Sequence, residues 1–304
     1  MKKTFALVLT LALAITACGS SNSGNPGALK VVTTFYPLAF LAERVGGDEV
    51  EVTNLVPVGG EPHDFEPSPR QIVAVTEADV ALYMGQGFEP WMEDLKTELS
   101  AKGVVAVEVN ASLPVIQFSQ EEQTDAEEHV YDPHTWLDPL MMQEMVSMIL
   151  DAFTTADPEG KEYYMANAEL VIRELQTLHE TYQAGLTSCE NKTILVSHDA
   201  FHYLAERYGI ETIPVSGLSP EDEPSANRLT ELADFAKENK SQYIFFETLA
   251  NPAVAETLAA EANLTPLTFN PIEGLTEEEA RNGETYFTLM QANLDNLKLA
   301  MSCQ

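Results

Sequence analysis

Hydrophobic and polar positions alternate in two ways along the chain. Short apolar or β-branched runs, typical of buried strands, are followed by stretches with apolar residues every three or four positions, typical of amphipathic helices. In the first half the predicted strands are 29–34, 51–56, 80–84 and 104–109, and the helices are 37–45, 69–77 and 90–100. In the second half the predicted strands are 193–197, 211–215, 243–247 and 266–269, and the helices are 199–208, 224–239, 252–262 and 285–301. This βαβα order predicts an α/β protein with parallel sheets and helices on their faces.

One longer helical pattern separates the two halves. Asp157 and Pro158 form a good helix start, and apolar residues then recur at steps of three or four. This apolar stripe comprises Tyr164, Ala168, Val171, Leu175, Leu178, Tyr182 and Leu186. A helix of about 28 residues is on the order of 40 Å long, enough to run the length of a two-lobe molecule. We therefore predict an N-terminal lobe at 29–156, a linking helix at 157–188 and a C-terminal lobe at 189–304.

The first 28 residues do not fit this alternation. Residues 1–17 combine a basic start with a short apolar run and end in small residues directly before Cys18, as in a lipoprotein signal peptide. We expect Cys18 to become the lipid-modified N-terminus, followed by a flexible Gly/Ser tether at 18–28. The protein would then be extracytoplasmic and anchored to the bacterial cell membrane by its lipid. The alternative is an ordinary signal peptide with an incidental cysteine.

Charge narrows the range of partners. The formal net charge is −32, so the surface repels phosphate backbones and nucleic-acid binding is excluded as a function. Such a surface attracts cations, although acidity also serves solubility and by itself supports no metal site. We expect a monomer with no nucleic-acid partner.

Two cysteines remain beyond Cys18, namely Cys189 and Cys303. In an extracytoplasmic compartment a disulfide between them would persist. Such a bridge closes a loop of more than a hundred residues and would contribute about 4–5 kcal/mol on the loop-entropy model. We favour the bridge over two free thiols.

Three histidines occur where a ligand could be bound. His134 lies in VYDPHTWLDP, where two Asp-Pro pairs favour a rigid turn. His63 follows strand 51–56, His198 ends strand 193–197, and Glu273 follows strand 266–269. Ligand sites of parallel sheets lie beyond the carboxyl ends of the strands, so these groups can converge there.

Three imidazoles and one carboxylate form a donor set that suits Zn²⁺. Each histidine alone is more often a satisfied polar residue, and only their joint placement supports a metal site. His202 lies four residues after His198, a spacing that can chelate zinc on one helix face. We interpret it as a neighbour of the site, because His198 precedes the helix.

Six segments together resemble the zinc and manganese binding proteins of ABC importers (cluster A-I), in particular their zinc-uptake branch. The segments are GGEPHDFEPSP, YMGQGFEPWMEDL, DPHTWLDP, SHDAFHYLAERYGI, FFETLANP and NPIEGLT. The resemblance implies two lobes, each with a four-stranded parallel sheet, joined by one long rigid helix, with metal held between them. It maps the first three ligands onto His63, His134 and His198, and the histidine at 198 favours zinc over manganese.

Two positions depart from the family pattern. Asn270 stands where the fourth family ligand is often an aspartate, and Glu273 of the NPxE segment is our fourth ligand. The histidine-rich loop of many zinc members is reduced here to the acidic insert 119–129 with His129 alone. This insert is predicted to be a solvated loop, with loose cation collection as the alternative.

The leading hypothesis is a non-enzymatic receptor that captures Zn²⁺ as cargo and delivers it to an ABC permease. A manganese or iron receptor of the same family is the first alternative. A zinc-dependent hydrolase would need a bound water and a base, for which Glu61 or Glu66 are candidates, but no HExxH motif is present. A surface adhesin is the third possibility.

Overall fold

The computed structural model describes residues 27–117, 131–220 and 224–304, within which eight strands and ten α-helices follow one another. The strands are β1 (Leu29–Thr33), β2 (Val50–Asn54), β3 (Val80–Tyr83), β4 (Val105–Glu108), β5 (Thr193–Val196), β6 (Glu211–Pro214), β7 (Tyr243–Phe246) and β8 (Thr265–Thr268). The helices are α1 (Tyr36–Gly46), α2 (Pro69–Thr76), α3 (Pro90–Lys102), α4 (Pro139–Ala156), α5 (Lys161–Gly185), α6 (His202–Tyr208), α7 (Ala226–Glu238), α8 (Ala253–Ala262), α9 (Glu277–Asn282) and α10 (Tyr286–Ala300). In the described part of the chain, no helix has both the length and the apolar character needed to cross a membrane.

The N-terminal lobe contains the predicted four-stranded parallel sheet. Its strand order is β2-β1-β3-β4, and Val31 of β1 pairs with Val52 of β2 and Val80 of β3. The central strands β1 and β3 are mostly buried, as expected for a parallel sheet covered by helices on both faces. Helices α1 and α4 share a hydrophobic core with one face of this sheet.

The C-terminal lobe contains the four predicted strands, but they do not form the expected single four-stranded sheet. They are hydrogen-bonded as two parallel pairs, β5-β6 and β7-β8. Strand β5 also lies beside β7, so the pairs are neighbours in space. The outer strands carry Pro214 and Pro266, which have no amide proton to donate and are tolerated at such edges. The carboxyl ends of β5, β7 and β8 lie close together, because the residues that follow them, His198, Glu247 and Glu273, are in contact.

Helix α5 is the predicted long connector. Its 25 residues span about 38 Å at 1.5 Å per residue, and the stripe predicted from the sequence is buried. The helix begins at Lys161 rather than at Pro158, because the Asp157 carboxylate instead accepts hydrogen bonds from the Glu159 amide and the Tyr164 hydroxyl. It packs against α1 and α4 of the first lobe and α10 of the second. Helix α5 therefore contributes to the cores of both lobes.

The predicted disulfide joins Cys189 to Cys303, across a sequence separation of 114 residues. Backbone hydrogen bonds flank it, from the Asn191 amide to the Met301 carbonyl and from the Gln304 amide to the Ser188 carbonyl. The bridge fixes the last residues of the chain to the segment that follows α5.

Candidate metal centre

The four predicted ligands come together in one cluster. His63 lies in the loop after β2, His198 lies two residues after β5 and Glu273 lies in the loop after β8. His134 comes from the turn before α4, where the Asp138 carboxylate caps the helix by accepting the Leu140 amide at 2.9 Å. One ligand atom from each of the four residues lies within 4.8 Å of all the others.

Four of the six distances among these atoms fit a tetrahedral zinc site. Glu273 Oε1 lies 3.3 Å from His63 Nε2, 3.4 Å from His134 Nε2 and 3.5 Å from His198 Nε2. His134 Nε2 and His198 Nε2 are 3.3 Å apart. A tetrahedron with zinc–ligand bonds of about 2.0–2.1 Å has edges of about 3.3–3.4 Å. Four of the six edges are therefore within 0.2 Å of the lengths that zinc requires.

The His134 ring is fixed from behind by Asp132. Its Nδ1 lies 2.7 Å from Asp132 Oδ1, which also accepts the His134 amide at 2.9 Å. Asp132 is fully buried, and although burial raises its pKa, the hydrogen bonds from His134 and His202 lower it to about 2. Burial lowers the pKa of His134, but Asp132 and Glu273 outweigh burial and raise it. With Nδ1 donating to a carboxylate, Nε2 faces the cluster.

Glu247 supports His198 in the same manner. Its Oε1 lies 2.5 Å from His198 Nδ1 and 3.2 Å from the His198 amide, and it also accepts the Ser197 hydroxyl. Burial lowers the pKa of His198, but the charges and hydrogen bonds of Glu247 and Glu273 raise it well above its ordinary value. The Nε2 atom of His198 therefore also points into the cluster.

His63 has different surroundings. Its side chain is 1% exposed, and Phe88 packs edge-on against the ring at 5.1 Å between centroids. Its amide donates to Glu61 Oε1 at 3.0 Å. Burial lowers the pKa of His63 despite the nearby Glu273. Burial, together with the charge of Glu273, raises the pKa of Glu61 to about 8.

The Glu273 loop is held in a strained form. Ile272 has φ of 58°, a left-handed conformation that is costly for a β-branched residue. Its amide donates to Asn270 Oδ1 at 2.8 Å, and the Trp136 indole donates to the Pro271 carbonyl at 2.7 Å. Burial raises the pKa of Glu273, but the three histidines outweigh burial and hold it well below its ordinary value. Asn270 thus fixes this loop from behind.

The cluster is arranged to bind a cation. When both rings are neutral and both Nδ1 atoms donate to carboxylates, the Nε2 lone pairs of His134 and His198 face each other at 3.3 Å. A metal ion between them relieves this repulsion, and Glu273 supplies one negative charge. The side chains of all four residues are at most 1% exposed, so the charge is screened little by water.

Two supporting residues are absent from the prediction made from sequence, Asp132 and Glu247. Glu247 directly follows β7, on the side of the lobe that also carries His198. Its position at the end of a predicted strand is a signal that could have identified it. Asp132 lies two residues before His134 in the same turn. Of the hydrolase candidates, Glu66 is exposed and Glu61 lies beside the cluster. Cys18 and the acidic insert with His129 lie outside the described residues.

Comparison with known proteins gives a consistent result. Residues 31–300 match the family model of ZnuA, the periplasmic component A of zinc-uptake complexes. The chain is 37% identical over 305 residues to the zinc-binding lipoprotein AdcA of Streptococcus pneumoniae strain R6, covering 98% of the chain but 61% of that relative. It is 36% identical over 297 residues to the high-affinity zinc uptake system protein ZnuA of Bacillus subtilis, covering 94% and 93%.

A solved structure supports the same relationship. The Zn(II)-bound ZnuA-like domain of Streptococcus pneumoniae AdcA superimposes with a TM-score of 0.79 at 37% identity, covering 90% of this chain and 99% of that one. The chain therefore matches the ZnuA-like part of AdcA, about three fifths of that relative's length.

Proposed function

Because the chain belongs to the ZnuA family of zinc-uptake components, we propose that it captures Zn²⁺ between its two lobes and delivers the ion to an ABC permease. In this proposal zinc is cargo, and His63, His134, His198 and Glu273 are its four ligands. The family consists of solute-binding transport components, and the proposed role is accordingly non-enzymatic.

The observation that supports the proposal best is the tetrahedral spacing of the four ligand atoms. Four of the six edges among the three nitrogens and one oxygen are 3.3–3.5 Å, close to the length that a closed four-coordinate zinc site requires. Manganese prefers more oxygen ligands and octahedral coordination, so the same donors favour zinc. Four protein ligands also leave no coordination position for the water that a zinc hydrolase activates.

A competition titration tests the proposal. The purified metal-free protein is titrated with Zn²⁺ in the presence of a chromophoric chelator, and the same experiment is repeated with Mn²⁺. We expect one tight zinc site per chain and much weaker manganese binding. Absence of a tight site, or tighter binding of manganese, would refute the assignment.

A matched control comes from within the chain. His179 is a half-buried histidine on α5 whose Nδ1 lies 3.2 Å from the Tyr208 hydroxyl. His179→Ala should bind zinc as the unmodified protein does, whereas His134→Ala should not. Equal zinc affinity in these two variants would show that the tight site lies elsewhere.

The remaining parts of the proposal concern the chain's surroundings. We propose that Cys18 carries the lipid anchor, that the protein acts as a monomer outside the cytoplasm, and that the lobes span 29–156 and 189–304 with 157–188 between them. The strands and helices on either side of α5, together with the Cys189–Cys303 bridge, support this division. Mass spectrometry of membrane-extracted protein tests the lipid on Cys18.

A further inference from the structure

His202 lies directly behind one of the proposed ligands. It is the first residue of α6, and its side chain is 30% exposed. Its Nδ1 lies 2.9 Å from Asp132 Oδ2, and its Nε2 lies 3.2 Å from Asp199 Oδ1. The other oxygen of Asp132 holds the ring and the amide of His134. A continuous chain of contacts therefore runs from His202 through Asp132 to His134.

This chain of contacts crosses from one lobe to the other. Asp132 is in the turn before α4, which is fixed to the N-terminal lobe by a hydrogen bond of 2.7 Å from the Thr135 hydroxyl to Asn110 Oδ1. His202 belongs to α6, which follows β5 of the C-terminal lobe. The position of the His134 ring is thus linked to the position of the opposite lobe.

Two neighbours of His202 on α6 hold the same turn. The Tyr203 hydroxyl donates to the Asp132 carbonyl at 2.8 Å and accepts the Ile116 amide at 2.8 Å. Arg207 contacts Asp138 Oδ2 through two nitrogens, at 2.6 Å and 2.9 Å. The turn is therefore held by its backbone at Asp132 and by its side chain at Asp138. His202 contributes something different, because it contacts the carboxylate that orients the ligand ring.

We propose that His202 is a positioning residue that acts through Asp132 to orient His134 for zinc across the lobe interface. This inference rests on the proposed function, since it takes His134 as a zinc ligand. A carboxylate held at one oxygen can rotate about its Cβ–Cγ bond, and the Nδ1–H of His202 fixes the second oxygen. His134 Nε2 is then directed at the cluster only while α6 lies against the turn.

The consequence for metal binding follows from the geometry. Replacing an outer partner of a metal-bound histidine typically weakens binding by about 10–100-fold. Asp132 contacts His134 directly and His202 acts one step further away. We therefore expect an effect near tenfold for His202 and a larger effect for Asp132. Zinc release should also be faster, because the His134 ring is less well oriented toward the ion.

The experiment first compares three single variants with the unmodified protein. Chelator competition gives the zinc affinity, and stopped-flow transfer to excess chelator gives the release rate. His202→Phe removes the nitrogen that contacts Asp132, and we expect about tenfold weaker binding and faster release. His202→Asn places an amide nitrogen near the position of Nδ1 and should restore most of the affinity. His179→Phe, on the adjacent helix α5, should bind as the unmodified protein does.

A double variant tests whether the effect passes through Asp132. Asp132→Asn weakens binding on its own, and adding His202→Phe to it should produce little further loss, because the route is already broken. Full additivity would overturn the inference, and so would unchanged zinc affinity in His202→Phe. Equal losses in His202→Phe and His202→Asn that follow their thermal stabilities would indicate a structural role and also overturn it.

The outcomes separate this inference from the proposed function. If the unmodified protein lacks a tight zinc site, both are refuted. If it binds zinc tightly and His202→Phe binds equally well, only the role of His202 is refuted. If affinity falls, Asn rescues it and the double variant shows no further loss, the inference is supported.

Discussion

The two sides of the proposed zinc cage are built differently. On one side His134 and His198 each point Nδ1 at a buried carboxylate, Asp132 or Glu247. On the other side the aromatic ring of Phe88 packs against His63 in a T-shaped arrangement. Carboxylates raise the pKa of the first pair, whereas burial lowers that of His63. The contrast is between a pair of rings oriented by carboxylates behind them and a ring that packs against Phe88.

The largest expected effect is the removal of a ligand. Structural zinc sites with four ligands bind with about 10–16 kcal/mol, so one ligand is worth about 2.5–4 kcal/mol, or roughly 100- to 1000-fold in affinity. We expect losses of this size for His63→Ala, His134→Ala and His198→Ala in chelator competition. The losses at His134 and His198 should be the larger, because each substitution also leaves a buried carboxylate without its ring partner. A greater loss at His63 would reverse the comparison.

Acidification should weaken zinc binding first by protonating His134 and His198. Metal binding requires neutral imidazoles, and the raised pKa values of His134 and His198 mean that proton competition begins above the ordinary histidine value of about 6.5. Affinity should therefore fall by about tenfold per pH unit or more as pH decreases from neutral. Titrations from about pH 8 to pH 5 measure this fall. An affinity that is constant over this range would contradict the prediction.

The order in which the three histidines take up protons also distinguishes His63 from His134 and His198. In the metal-free protein, imidazole NMR signals should show His63 taking up its proton at lower pH than His134 and His198, because burial lowers its pKa. Titration of His63 first would show that the two sides of the cage are not distinguished in this way.

A smaller effect is expected when the supports rather than the ligands are changed. Glu247→Gln keeps an oxygen that can accept from His198 but loses the charge, and we expect about 10-fold weaker zinc binding. Phe88→Leu keeps the apolar wall beside His63 and should cost only about threefold, because no hydrogen bond is changed. Equal losses in these two variants would remove the distinction between electrostatic and packing support.

Removing the disulfide should lower the stability of the protein without changing the four-ligand cluster. Replacing Cys189 and Cys303 together by serine removes a bridge that spans 114 residues, and the loop-entropy model predicts a loss of about 4–5 kcal/mol in free energy of unfolding. Neither cysteine belongs to the ligand cluster, so zinc affinity of the folded protein should be nearly unchanged. Denaturant unfolding and chelator competition measure the two quantities separately. A large loss of affinity would show that the cage depends on the bridge.

Much of the fold could be predicted because periodicity reports burial directly. The stripe from Tyr164 to Tyr182 is buried as its spacing requires, and the strand order β2-β1-β3-β4 is parallel as the βαβα alternation requires. The start of α5 was predicted three residues too early, since Asp157 bonds to Glu159 and Tyr164 before the helix begins. A local side-chain bond of this kind leaves no periodic signal.

The convergence of the site was predictable because strand ends share an edge, which brings His63, His198 and Glu273 together. The role of Asn270 was not predictable, because its hydrogen bonds to Ile272 and Glu279 exist only once the strained loop has formed. The same holds for the contact between His202 and Asp132, which lie 70 residues apart on different lobes.

The most direct test is anomalous diffraction at the zinc absorption edge on crystals of the zinc-loaded protein. We expect one strong peak about 2.0–2.1 Å from His63 Nε2, His134 Nε2, His198 Nε2 and a carboxylate oxygen of Glu273. A zinc peak away from these four residues, or the absence of zinc among them at full loading, would contradict it.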